Sequence, residues 1–265
     1  MIRSKTFAAA LTGVVLGGAV MVAASAREYY MQWQPHDEKR PLPAVVEPGY
    51  PGTQEQVGKA PSDAIVLFDG SSTDAFEKAN GEPIGWKIDD QKTLVIVKDT
   101  GGIQTKQSFG DMQLHVEWLI PESQAVETGQ NRGNSGVFIM NQYEVQVLDC
   151  KDNVTYADGM AGGLYGQFPP LVNAGLGIDK WQNYDIIFRR PVFNEDGTVQ
   201  KPAYVTVLHN GVVVQDNQEL MGPCVYKKRT DYKLHADKLP LGFQNHHQIV
   251  HYRNIWVREL PPRIE

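Results

Sequence analysis

The sequence predicts an all-β sandwich or barrel. Three observations carry this reading: many short apolar runs broken by turn residues, strict two-residue alternation from Met112 to Trp118, and no amphipathic helix of three turns. The 25 glycines and 16 prolines among 265 residues suit a chain with many turns.

Taken from the N-terminus, Arg3 and Lys5 precede a run from Phe7 to Ala24 that is apolar apart from Thr12. Ala24-Ser25-Ala26 then forms an A-x-A site before polar Arg27-Glu28. Residues 1–26 read as a signal peptide, which predicts an exported protein, periplasmic or extracellular. The competing reading is an uncleaved anchor, because the apolar run is near the minimum length for a bilayer span. No second apolar run of that length follows, so no stable membrane span is expected after cleavage. Residues 27–63 read as a Pro-rich linker, with Pro35, Pro41, Pro43, Pro48, Pro51 and Pro61 and no hydrophobic period. The folded domain is expected over residues 64–260.

Within that domain, Ile65–Phe68 runs into the turn Asp69-Gly70, and Thr93–Val97 into Asp99-Thr-Gly-Gly102. Met112, Leu114, Val116 and Trp118 share one face of a strand, with Gln113, His115 and Glu117 on the other. Gly136–Met140 and Tyr143–Leu148 are two apolar-rich strands, followed by Tyr184–Phe188 and Tyr204–Leu208. Asn210-Gly211 is a two-residue hairpin turn, because both positions tolerate positive φ. Ile249–Glu259 closes the domain. Trp181 and Tyr184 are expected in the core, His209 in a loop, and His235 is assigned no role.

Charge and cysteine content bound the function. Net charge is −6, becoming −8 without Arg3 and Lys5, and no block of five Lys or Arg occurs. A nucleic-acid phosphate backbone finds no matching surface in such a chain. Cys150 and Cys224 are a candidate disulfide worth roughly 4 kcal/mol by chain entropy, and equally two buried thiols.

The segment from Asn131 to Asp149 holds the densest polar chemistry. On a strand, Glu144 and Gln146 face one way and Tyr143, Val145 and Val147 the other. A one-residue bulge would bring Asp149 onto the Glu144 face. The resulting Glu-x-Gln-x-x-Asp is similar to the Glu-x-Asp-x-x-Glu signature of bulged-strand retaining glucanases, with Gln146 in place of the middle acid. A solvated polar strand face accounts for the same alternation. Gly133-Asn134-Ser135-Gly136 does not have the G-x-S-x-G spacing of a serine hydrolase.

Several motifs in order resemble one family. Leu67-Phe68-Asp69-Gly70, the Trp86 segment, Asn134-Ser135-Gly136-Val137-Phe138, Tyr143–Asp149 and Arg253-Asn254-Ile255-Trp256-Val257-Arg258-Glu259-Leu260 are together similar to the 3-keto-disaccharide hydrolase domain. The resemblance implies a concanavalin A-like jelly-roll sandwich of two antiparallel sheets, with a carbohydrate site on its concave face. It also implies a 3-keto-glycoside substrate. A ketone at C3 acidifies the C2 hydrogen, a base removes it, the C1 substituent leaves, and water adds. Such a site needs a base, an acid and donors for the enolate oxygen.

On that footing the catalytic candidates are Glu144 as base and Asp149 or His246 as acid. Arg132, Asn134 and Gln146 are candidate binders of hydroxyls or the enolate. Gln244-Asn245-His246 resembles the family's Gln-x-His, with Asn245 and His247 departing from its pattern. His246 or His247 with a carboxylate is a candidate site for a divalent metal. His115 and Glu117 are candidates to line the same surface, and Tyr165 and Gln167, in a glycine-rich loop, to contact sugar. Two other functions stay open: a retaining glucanase using Glu144 and Asp149, and a non-catalytic lectin-like module.

Overall fold

The computed structural model describes residues 34–261; the expected signal peptide lies outside them. Residues 34–42 form a short run of turns, closed by Asp37 N–H to Gln34 O and Arg40 N–H to Asp37 O bonds. Residues 43–261 belong to one compact unit.

That unit holds seventeen strands: β1 Ile65–Phe68, β2 Phe76–Glu77, β3 Lys87–Ile88, β4 Leu94–Val95, β5 Ile103–Phe109, β6 Met112–Leu119, β7 Ser135–Ile139, β8 Tyr143–Val147, β9 Gln182–Arg189, β10 Val192–Phe193, β11 Val199–Lys201, β12 Tyr204–His209, β13 Val212–Glu219, β14 Cys224–Val225, β15 Lys228–Arg229, β16 Leu239–Phe243 and β17 His251–Glu259. Among the described residues the only helical turns are three short 3-10 segments. No helix there is long and apolar enough to cross a membrane.

Two antiparallel sheets form the sandwich. The larger runs β13-β12-β9-β6-β17-β4-β3, with β1 also on β17; the smaller runs β2-β5-β16-β7-β8. Alternation decides what lies between them. Met112, Leu114, Val116 and Trp118 of β6 are fully buried, as are Val145 and Val147 of β8 and Val137 of β7. Burying such side chains contributes roughly 1.5–3 kcal/mol each, which fixes the register, since a one-residue slip would turn the apolar set outward. Asn210 and Gly211 both take positive φ in the β12–β13 turn, as the sequence predicts.

Three expectations are corrected here, and a fourth point left open is decided. First, the linker does not extend to residue 63. Residues 43–63 pack within the unit: Tyr50 and Lys59 form a β-bridge, and Gln54 exchanges two 2.9 Å bonds with the Trp181 backbone. Second, Trp181 is half-buried, not core, and carries the Arg253 guanidinium 4.0 Å from its ring centre. Third, His209 ends β12 and is fully buried, packed on Trp118 and Tyr184, with Nε2 2.9 Å from Gln182 Oε1. Burial holds its ring down at about 4, so it is a neutral core residue. Fourth, of the two states left open for the cysteines the disulfide is not formed: Cys150 and Cys224 are free thiols, the first buried and the second half-buried. Each occupies its own polar niche: Cys150 Sγ accepts the Ala161 N–H, and Cys224 Sγ accepts the Glu144 N–H.

Candidate active site

The site grows from one antiparallel pair. Strands β7 and β8 set Gly136 opposite Gln146 and Phe138 opposite Glu144. These four residues point away from the core, because Val137, Val145 and Val147 point into it. Strand β8 ends its sheet, and its outer edge is taken by the glycine-rich loop. Gly162 N–H bonds Gln146 O, Gln146 N–H bonds Gly163 O, and Tyr165 N–H bonds Glu144 O. The loop thus covers an otherwise unpaired edge and seats Tyr165 beside Glu144. From the other side, Gln244 N–H bonds Gly136 O, bringing the Gln244–His246 segment alongside.

The result is a cleft of about 220 Å³. Asn134, Glu144, Gln146, Tyr165, Gln244 and His246, all expected from the sequence, line it. Phe138, Cys224 and Tyr226 line it too. Phe138 was legible, since it stands two residues after Gly136 on the outward face. Cys224 and Tyr226 were not, because a distant hairpin, β14–β15, brings them in.

Glu144 is the site's electrostatic centre. It is only 5% exposed, and no basic side chain within ion-pair range faces it among the described residues. Burial therefore pushes its carboxyl up to about 8. Room for that carboxyl depends on Gly136: a methyl group there would stand 2.3 Å from Glu144 Oε1. Below the carboxyl, Cys224 is held neutral, its thiol pushed up to about 12 first by burial. Gln146 is held by its Nε2 bond to Gln130 Oε1, and Asn134 by its Nδ2 bond to Gln130 O. Gln244 Oε1 is buried with no hydrogen-bond partner among the described residues, an acceptor that a ligand hydroxyl would satisfy.

Other candidates lie elsewhere. Asp149 is fully buried beyond the end of β8, with no bulge to return it to the Glu144 face. Its Oδ2 is 2.8 Å from Arg132 Nε and its Oδ1 accepts the Lys151 N–H, so Asp149 and Arg132 anchor a turn. Gln167 ties its loop to the 221–222 backbone through Gly222 O and Met221 N–H. His115 and Glu117 are on the outer face of the larger sheet, the opposite side of the sandwich from Glu144. There Glu117 Oε1 accepts the Gly52 N–H and the Asn254 Nδ2–H, at 2.8 and 2.7 Å, and Oε2 pairs with Arg253. Arg253 also donates to Thr53 O and Gln56 O. These residues hold the 43–63 segment as a strap.

His247 Nδ1 lies 2.7 Å from Asp99 Oδ1, and His246 Nδ1 lies 3.2 Å from Gln248 Oε1. The two alternative candidates for a metal ligand thus face different partners, and no group of three His, Cys, Asp or Glu converges among the described residues.

The two-sheet sandwich carries a polar cleft around one buried carboxyl, and comparison with known proteins places such a chain in a carbohydrate-active, glycosyl hydrolase-like class. Solved structures agree. One protein of Parabacteroides distasonis ATCC 8503, provisionally assigned as a glycosyl hydrolase, is 40% identical, with TM-score 0.79 over 85% of this chain and 95% of its own. A second from the same organism, with the same assignment, shares the fold at 18% identity and TM-score 0.53, over 75% of this chain and 94% of its own. No curated protein matches. The model of the 3-keto-alpha-glucoside-1,2-lyase-like domain matches residues 63–258, and the chain belongs to that family.

Proposed function

We propose that the chain cleaves 3-keto-glycosides by elimination and hydration, with Glu144 as general base. The observation that carries this is a buried carboxyl, without a basic partner, at the floor of a polar cleft. A carboxylate raised to about 8 is a far stronger base than one in water, and closer in strength to the acidified C2–H it must break. Glu144 takes the C2 proton, and the electron pair moves toward the C3 oxygen as an enolate. Collapse of the enolate expels the C1 oxygen, which takes a proton from His246 at the cleft rim. Water then adds across C1 and C2 to complete a net hydrolysis. Gln146, Asn134 and Gln244 position the ring hydroxyls.

The test is turnover of a 3-keto-glucoside beside its unoxidised parent. Release of the aglycone from only the keto sugar supports elimination. Cleavage of the parent alone points to ordinary glycosidase chemistry, and cleavage of neither to a binding module. The glucanase reading has little support, because Asp149 is absent from the cleft and the retaining mechanism needs two carboxyl groups about 5–5.5 Å apart. Export to the periplasm or exterior completes the proposal; N-terminal sequencing of the mature chain should begin at Arg27.

A further inference from the structure

A second cavity, of about 520 Å³, opens beside the Glu144 cleft and shares Tyr165 and Tyr226 with it. A single molecule can therefore occupy both. Where the first cleft is neutral or acidic, the second is lined by three consecutive cations, Lys227, Lys228 and Arg229, with Asp158 as the one acid. The concentration is notable in a chain with 31 acidic and 25 basic residues. The cations come from a tight hairpin in which β14 and β15 pair and Lys227 takes positive φ. None of the three is in an ion pair with another described residue, although Lys227 rests 5.1 Å from the Tyr226 ring centre. All three are exposed and line this cavity together.

We propose that this cavity is a subsite for an anionic substituent, so that the preferred substrate carries a carboxylate, sulfate or phosphate on the unit adjoining the one Glu144 attacks. The inference rests on the reading of the Glu144 cleft as the reaction site. Tyr165 and Tyr226 form the passage between the two cavities, with faces suited to pyranose C–H surfaces. Arg229 offers a planar donor fork, and the two lysines offer point charges.

Calorimetry with the full chain tests this without turnover. The probes are α- and β-linked glucosyl-glucoses, beside the corresponding glucosyl-glucuronic acids and the 6-sulfate and 6-phosphate esters of the same disaccharides. At least one acidic probe should bind about tenfold more tightly than its neutral counterpart in low salt. That ratio should shrink toward one in about 0.5 M salt and in K228A/R229A. Which arm shows the preference identifies the anion. No preference for any acidic probe overturns the subsite and leaves the Glu144 chemistry standing. A charge preference together with no turnover of any 3-keto-glucoside would keep the subsite and overturn the proposed reaction. A preference that survives K228A/R229A would place the anion elsewhere and also overturn it.

Discussion

The two outer faces of the sandwich each carry a glutamate on an alternating strand, and the two glutamates have opposite fates. Glu117 of β6 and Glu144 of β8 are equally buried, at 2% and 5% exposure. Burial alone would raise both carboxyls. At Glu117, hydrogen bonds from His115 and Asn254 and the charge of Arg253 outweigh it and hold the carboxyl below its ordinary range. At Glu144 nothing outweighs it. The strap of residues 43–63 covers Glu117, whereas Glu144 lines an open cleft. Residue type and alternation thus place a carboxylate on a face, and partners decide whether it serves architecture or chemistry.

The sharpest way to break this comparison is to neutralise each glutamate. E144Q should lower kcat by about 10³-fold, in line with loss of a general base, while making the protein more stable. The sign follows from linkage. The folded carboxyl is raised from 4.5 to about 8, so the unfolded chain sheds its proton first, and wild-type stability falls as pH rises from about 4.5 to 8. At neutral pH the relief is at most about 3 kcal/mol, readable as a higher denaturation midpoint. Activity should rise with pH through about 8 as Glu144 ionises. An ascending limb that persists unchanged in E144Q would take the role of base away from Glu144.

E117Q should do the reverse. Removing one partner of a buried ion pair costs roughly 3–5 kcal/mol, and here it leaves Arg253 beneath the strap. The expected outcome is a lower midpoint and faster proteolysis between residues 43 and 63, with turnover per folded molecule retained. If E117Q instead lost turnover while staying folded, the division of labour between the faces would be wrong.

The histidines sharpen the comparison through pH. Burial would lower His115, but hydrogen bonds with Asp185 and Glu117 lift it to about 9. Its stabilisation is full below about 6.5 and is lost as pH rises through 9. His209, lowered by burial to about 4, acts on the other side: stability falls as pH drops from 6.5 toward 4, since only the unfolded chain takes the proton. Each limb spans up to about 3 kcal/mol. H115N should flatten the alkaline limb, and H209N the acid limb, in denaturant titrations across pH.

Much of this was legible in the sequence. Strands β6, β8 and β12 announce themselves through unbroken alternation, and the outward row of Gly136, Glu144 and Gln146 follows from the same period. Strand β5, Ile-Gln-Thr-Lys-Gln-Ser-Phe, hides its core positions under a buried Thr105, and β16 contains Pro240 and Gly242; neither offers a clean apolar period. The strap was misread because its role rests on backbone N–H groups and glycines, which no hydrophobic pattern marks. Asp149 failed for a geometric reason: its strand stops at Val147, and the chain turns toward Arg132 before the side chain could rejoin the row. Tyr226 reaches the cleft, and the cations after it the adjoining cavity, only through a contact between segments some eighty residues apart.

Two glycines give the smallest and most direct test. A methyl group at Gly136 would lie 2.3 Å from Glu144 Oε1, and one at Gly52 would lie 2.3 Å from Glu117 Oε2. Neither glycine has positive φ, so alanine is excluded by crowding and not by backbone strain. G136A should push the Glu144 carboxyl out of place and cost roughly tenfold to a hundredfold in kcat, the range that a misplacement of about 1 Å produces, with little change in the denaturation midpoint. G52A should lift the strap from Glu117 and cost stability of about 1–3 kcal/mol with kcat unchanged. The same atom added at equivalent distances from two buried glutamates would then register in different measurements. If both variants lost only stability, Glu144 would be as structural as Glu117, and the open cleft would need another residue for its chemistry.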